Sequence, residues 1–152
     1  MLAALLPLFA VADSTHIDPA ALKRAVRTYT APFASADARA MAAWHDLNAD
    51  GRIDALVLVR EPDGCAAGCL LLVFEAMPDE DAEETGRYRI AAEIPAAQPA
   101  AHLVPAGHGG WCEVLVPRAN GTASRFVFDG ETYAPTPKPA PVAGKAVVFA
   151  DL

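Results

Sequence analysis

The stretch Asp46-Leu47-Asn48-Ala49-Asp50-Gly51-Arg52-Ile53-Asp54 constrains the fold of this chain more than any other. Oxygen-bearing side chains stand at its positions 1, 3, 5 and 9, glycine stands at position 6, and the next five residues, Ala55-Leu56-Val57-Leu58-Val59, are a plain apolar strand. Ca²⁺ takes about six to eight hard oxygen ligands at roughly 2.3–2.6 Å. Asp46, Asn48, Asp50 and Asp54, with the carbonyl oxygen of Arg52, supply most of such a shell, and Gly51 permits the sharp turn. The competing reading is a polar turn held by its own side-chain to backbone hydrogen bonds. Four oxygen-bearing groups at these positions are more than a turn requires, so a structural Ca²⁺ site is the expectation.

The pattern D-x-N-x-D-G-x-x-D running into a strand resembles the calcium loop of the FG-GAP and VCBS repeats. It departs from an EF-hand, which needs a bidentate Glu at position 12 and a following helix; here position 12 is Val57, in a β-rich run. The resemblance covers about residues 44–60 in a single copy, whereas repeats of that kind build propellers only in several. It implies that the loop joins two strands of a hairpin. Residues 39–45, which helix propensity alone would allow as helix, are therefore assigned to a strand.

Other segments follow from local chemistry. Asp18-Pro19 is a helix start, and Leu22, Val26 and Tyr29 recur on one face opposite Lys23, Arg24 and Arg27, predicting an amphipathic helix that ends before Pro32. The basic face is read as solvated surface. Strands are predicted at 55–60, 69–76, 87–94, 112–117 and 123–129, with 146–149 as an edge strand. Asn120-Gly121 marks a hairpin. The acidic run 78–86 is read as a solvated hairpin tip, and the proline-rich segment 134–142 as extended chain. The expected architecture is α+β: one N-terminal helix packed on a mainly antiparallel sheet of about five to seven strands, forming a single domain over 13–152.

Residues 1–12, Met-Leu-Ala-Ala-Leu-Leu-Pro-Leu-Phe-Ala-Val-Ala, read as the apolar part of a secretory signal, with Ala10-Val11-Ala12 as the cleavage pattern. No apolar run approaches the roughly 20 residues that span a bilayer. A periplasmic or secreted address is expected, where Ca²⁺ is abundant. In such a compartment two of the three cysteines pair. Cys65 and Cys69, inside Gly64-Cys65-Ala66-Ala67-Gly68-Cys69, are the favoured pair, with Cys112 left as a free thiol or as the partner of one of them. The segment order also resembles a family of small bacterial exported proteins, through Asp46–Asp54, Gly64–Cys69, Gly110-Trp111 and Phe128-Asp129-Gly130 with Tyr133. That resemblance implies export but no activity, and Cys112 departs from its pattern.

A net charge of −7 and a pI near 4.9 argue against nucleic acid or an anionic membrane surface as partner. Cys65, Cys69, His108 and Cys112 have the outline of a zinc site, but the exported context favours a disulfide. Ser14, Ser35 and Ser124 lie in no nucleophile motif, no P-loop or dinucleotide fingerprint is present, and no catalytic residue is assigned. The reading is a small exported binding protein with a structural Ca²⁺ and another protein as partner. Inhibitors or immunity proteins for cell-wall hydrolases are a possible subclass. The alternative is a metal-dependent hydrolase using Asp46, Asp50 or Asp54 with His45.

Overall fold

The computed structural model of the chain describes residues 16–152 other than 67, 97 and 106–109. The expected signal segment and His108 therefore lie outside the described residues. Helix α1, Pro19–Thr30, begins where Asp18 accepts the Ala21 amide at 2.9 Å with Pro19 as first helical residue. It buries Leu22 and Val26. Strands β1 (Arg39–His45), β2 (Asp54–Arg60) and β3 (Cys69–Ala76) follow, then helix α2 (Asp79–Thr85) and strand β4 (Tyr88–Ala96). Next come β5 (His102–Val104), β6 (Glu113–Pro117), β7 (Thr122–Phe128), β8 (Tyr133–Pro135), β9 (Ala140–Pro141), β10 (Lys145–Ala146) and β11 (Ala150–Asp151).

These strands form two antiparallel sheets, not one. The first holds five strands in the order β11-β1-β2-β3-β4; the second holds six, β10-β5-β6-β7-β8, with β9 also on β7. The expectation of a single sheet of five to seven strands under one helix is thereby overturned, and the chain is mostly β with two helices among the described residues. The physical reason lies in β2 and β3, which are apolar on both faces. Val57, Val59, Leu72 and Phe74 face α1. Leu56, Leu58, Leu71 and Val73 face the other way and pack with Val114, Val116 and Phe126 of the second sheet. A single helix covers one of those faces, and the second sheet covers the other.

A bulge in β4 keeps that strand in step with both layers. Val73 pairs with Ala92 and Phe74 with Ile90, so Ala91 is the extra residue. Before it, Tyr88 and Ile90 join the helix-side cluster; after it, Ala92, Ile94 and Ala96 join the inter-sheet cluster. The acidic segment does connect the antiparallel pair β3–β4, the hairpin-tip position expected, but it is coiled into α2. Asp79, Glu80 and Asp81 occupy its first turn, where the partial positive charge of a helix N-terminus stabilises carboxylates.

The proline-rich segment and the C-terminal stretch stitch the sheets together. β9 lies against β7 and β10 against β5, four inter-strand spacings apart, about 19 Å in a flat sheet. The chain from Pro141 to Lys145 reaches at most about 14 Å, so the second sheet must curl. After β10 the chain crosses to the first sheet as β11 on β1. The predicted strand at 146–149 is thus this crossing: Val147 and Phe149 pack on the inter-sheet cluster while Val148 is 83% exposed.

Gly144 seats the strap formed by 142–146. Its φ is +81°, and a Cβ there would lie 2.2 Å from the Leu103 carbonyl oxygen, a backbone atom that cannot step aside. Gly144→Ala is expected to destabilise by about 2 kcal/mol or more, and Leu58→Ala, in the inter-sheet core, by about 2–5 kcal/mol. Val148→Ala should stay within about 0.5 kcal/mol. Urea unfolding of the three variants checks the ranking.

Candidate functional site

Strands β1 and β2 form a hairpin whose last pair is His45 opposite Asp54. The polar loop is therefore its connection. Ala49 (φ 59°) and Gly51 (φ 85°) take the left-handed conformations that reverse the chain. The side chains then bind the backbone of their own turn. Asp46 accepts the Asp50 amide at 3.2 Å through Oδ1 and the Gly51 amide at 3.0 Å through Oδ2. Asn48 Oδ1 also accepts the Asp50 amide, at 3.2 Å, and its Nδ2 donates to Asp50 Oδ2 at 3.0 Å. Asp50 Oδ1 accepts the Arg52 amide at 2.8 Å, and its other oxygen is ion-paired with the Arg52 guanidinium.

Asp54 behaves differently. It is fully buried, with Oδ2 accepting the Leu47 amide at 2.9 Å and Oδ1 accepting the Ala76 amide at 2.8 Å. Arg52 Nε donates to the Ala76 carbonyl at 3.0 Å. Asp54 and Arg52 thus clamp the end of β3 to the loop, a contact between residues far apart in sequence that no local pattern signals.

The turn also carries the second sheet. The Cys112 amide donates to the Leu47 carbonyl at 2.7 Å, and the Tyr133 hydroxyl donates to the Cys112 carbonyl at 2.7 Å. Trp111 is buried and stacks on Phe128 with ring centroids 4.2 Å apart. The Gly110-Trp111 and Phe128-to-Tyr133 segments noted in the sequence therefore meet beside the Asp46–Asp54 loop.

Electrostatically, the loop is a concentration of negative charge with Arg52 as its one ion-paired cation among the described residues. Burial pushes the Asp54 carboxyl up to about 7; the Ala76 and Leu47 amides pull it back, and the charges of Asp50 and Asp46 push it further up. Burial, then Asp46 and Asp54, also raise the Cys112 thiol. His45 is lowered, first by burial and then by Lys145, so it is held neutral beside the loop.

Of the residues singled out in the sequence, Asp46, Asn48, Asp50 and Arg52 share one turn, and Asp54 sits beneath it. Among the described residues, no group of three or more His, Cys, Asp or Glu side chains is placed to hold a metal ion. Asp46, Asn48 and Asp50 point their oxygens at backbone amides, and Arg52 contributes its guanidinium where only its carbonyl had been expected. Cys65 and Cys69 form a disulfide with Cα atoms 4.8 Å apart, while Cys112 is free and half-buried. The four-ligand zinc outline is therefore broken, since two of its thiolates are spent on each other.

The raised Asp54 carboxyl has a measurable consequence. The folded state holds the Asp54 proton up to about pH 7, while the unfolded chain releases it near pH 4. In chelated buffer this group therefore lowers stability as pH rises between those values, by a few kcal/mol, with no further loss above them. Asp54→Asn should flatten that slope, while costing about 1–3 kcal/mol because an amide NH₂ faces a backbone N–H. Denaturant unfolding from pH 4 to 8 measures both effects.

No helix among the described residues is long and apolar enough to cross a membrane. Comparison of the chain with protein-family models, curated proteins and solved structures gave no match.

Proposed function

We propose that the protein is a small exported binding module in which the Asp46–Asp54 loop takes a structural Ca²⁺, and that it acts on another protein. The observation that carries this reading is Asp54: a carboxylate buried with two further carboxylates near enough to raise its pKa, and no cation bonded to it among the described residues. A divalent ion beside Asp46, Asn48 and Asp50 would supply the missing positive charge. The resemblance to the FG-GAP and VCBS loop supports the same ligand set: Asp46, Asn48, Asp50, the Arg52 carbonyl and Asp54. A Ca²⁺ ion would have to displace the Arg52 guanidinium from Asp50 and draw the Asp46 and Asn48 oxygens away from the turn amides.

A structural role fits better than a hydrolytic one. Both Asp54 oxygens already serve the backbone, which fixes the loop to β3 and leaves that carboxylate poorly suited to activate water. His45 is half-buried and faces Lys145 electrostatically. The disulfide Cys65–Cys69 supports an oxidising address, and the acidic net charge supports a protein partner over nucleic acid.

A site with a Kd of about 0.1 mM adds roughly 1.4 kcal/mol of stability in about 1 mM Ca²⁺. Calorimetric titration of chelated protein is expected to show one Ca²⁺ per chain and a matching rise in Tm. Asp46→Ala or Asp50→Ala should abolish the rise, whereas Arg52→Gln, which removes the competing guanidinium and keeps the carbonyl, should tighten binding several-fold. Absence of heat and of any Tm change in the unmodified protein would sink the ion assignment.

A further inference from the structure

Helix α1 collects positive charge in an acidic chain. It carries Lys23, Arg24 and Arg27 with no acidic residue anywhere in Pro19–Thr30, although the chain has 19 Asp and Glu against 12 Lys and Arg. Lys23 and Arg27 stand four residues apart, so their repulsion slightly destabilises the helix. Arg27 in the last turn is favoured by the negative end of the helix dipole, but Lys23 lies in the first half, where the dipole gives it nothing. The ion pairs among the described residues belong to Arg52, Arg87, Arg89 and Arg125; no Asp or Glu side chain among them lies within ion-pair distance of Lys23 or Arg27.

Both of those cations border a groove of about 660 Å³ between α1 and the β1–β11 edge of the first sheet. Val26, Ala38, Ala40 and Val59 are its apolar lining, Arg39 is a third cation beside it, and among the described residues Asp151 is the one acidic side chain in its wall. Lys23 Nζ donates to the main-chain oxygen of Leu152 at 3.0 Å, which fixes the ammonium at the β11 end of the groove. A small inorganic anion would use the cations but leave the apolar lining exposed. An extended peptide, whose side chains alternate in direction, would use both.

We propose that this groove binds an extended segment of a protein partner in which carboxylate and small apolar side chains alternate, the carboxylates meeting Lys23 and Arg27. The inference rests on the protein being a binding module and is independent of the calcium loop.

The test is an NMR titration of the whole protein with a blocked peptide alternating Asp and Val over about eight residues. A Lys-Val peptide of equal length and inorganic triphosphate serve as comparison probes. Saturable shifts in α1, residues 31–40 and residues 150–152 are expected with the acidic peptide alone. Lys23→Gln with Arg27→Gln should weaken binding about tenfold or more. Arg24→Gln, on the same helix but outside the groove wall, should change it less than about twofold. Three results would overturn the proposal: equal weakening by Arg24→Gln, which means diffuse attraction; triphosphate binding as tightly; or α1-mediated self-association in sedimentation experiments. Loss of the peptide signal with the Ca²⁺-dependent Tm rise intact would reject the groove while leaving the loop assignment standing.

Discussion

Strands β2 and β3 lie at the centre of the first sheet and are buried on both faces, and the rest of the molecule is arranged to cover them. Leu56, Leu58, Leu71 and Val73 require one cover; Val57, Leu72 and Phe74 require another. Helix α1 provides the second through Leu22 and Val26, and the curled second sheet provides the first through Val114, Val116 and Phe126. Each fully buried aliphatic side chain contributes roughly 1.5–3 kcal/mol. Neither cover alone would stabilise strands whose opposite side still faced water.

The Asp46–Asp54 loop joins these layers at one end. Asp54 holds β3 through the Ala76 amide and its own turn through the Leu47 amide. The Leu47 carbonyl in turn receives Cys112 from the second sheet, which Tyr133 fastens from the far side. A change in the loop's charge therefore reaches both sheets within two hydrogen bonds. That geometry explains how an ion in a surface turn could affect global stability without touching the apolar core.

Much of the first sheet was legible in the residues. The apolar runs within 55–60 and 69–76 are of strand length, β-branched or aliphatic and flanked by turn residues, and β1 was read as a strand, against its alanine-rich helix propensity, through the hairpin that the resemblance of the polar loop implies. Asn120-Gly121 located the β6–β7 hairpin through the left-handed Gly121. The short strands were not legible. β5 is three residues, His-Leu-Val, and β9 to β11 are two each, stabilised by neighbours and not by their own composition. The helical reading of 79–85 was missed because six polar residues around the single Ala82 show no apolar face; acids in a first turn were the available signal.

For the candidate site, the resemblance to the FG-GAP and VCBS loop placed Asp46, Asn48 and Asp50 in the connection between two strands, and the apolar run from Ala55 placed Asp54 at the entry to the second. Which way each oxygen points was decided by tertiary structure. Asp54 turns inward because its place in the β1–β2 ladder sets it over the end of β3, where the Ala76 amide needs an acceptor. The division into two sheets was likewise tertiary: the residue pattern of a strand says that both faces are apolar, but the identity of what covers each face depends on pairings between distant segments. Local chemistry determined the elements and the polar loop; long-range hydrogen bonding determined the layers and the burial of the one carboxylate on which the site depends.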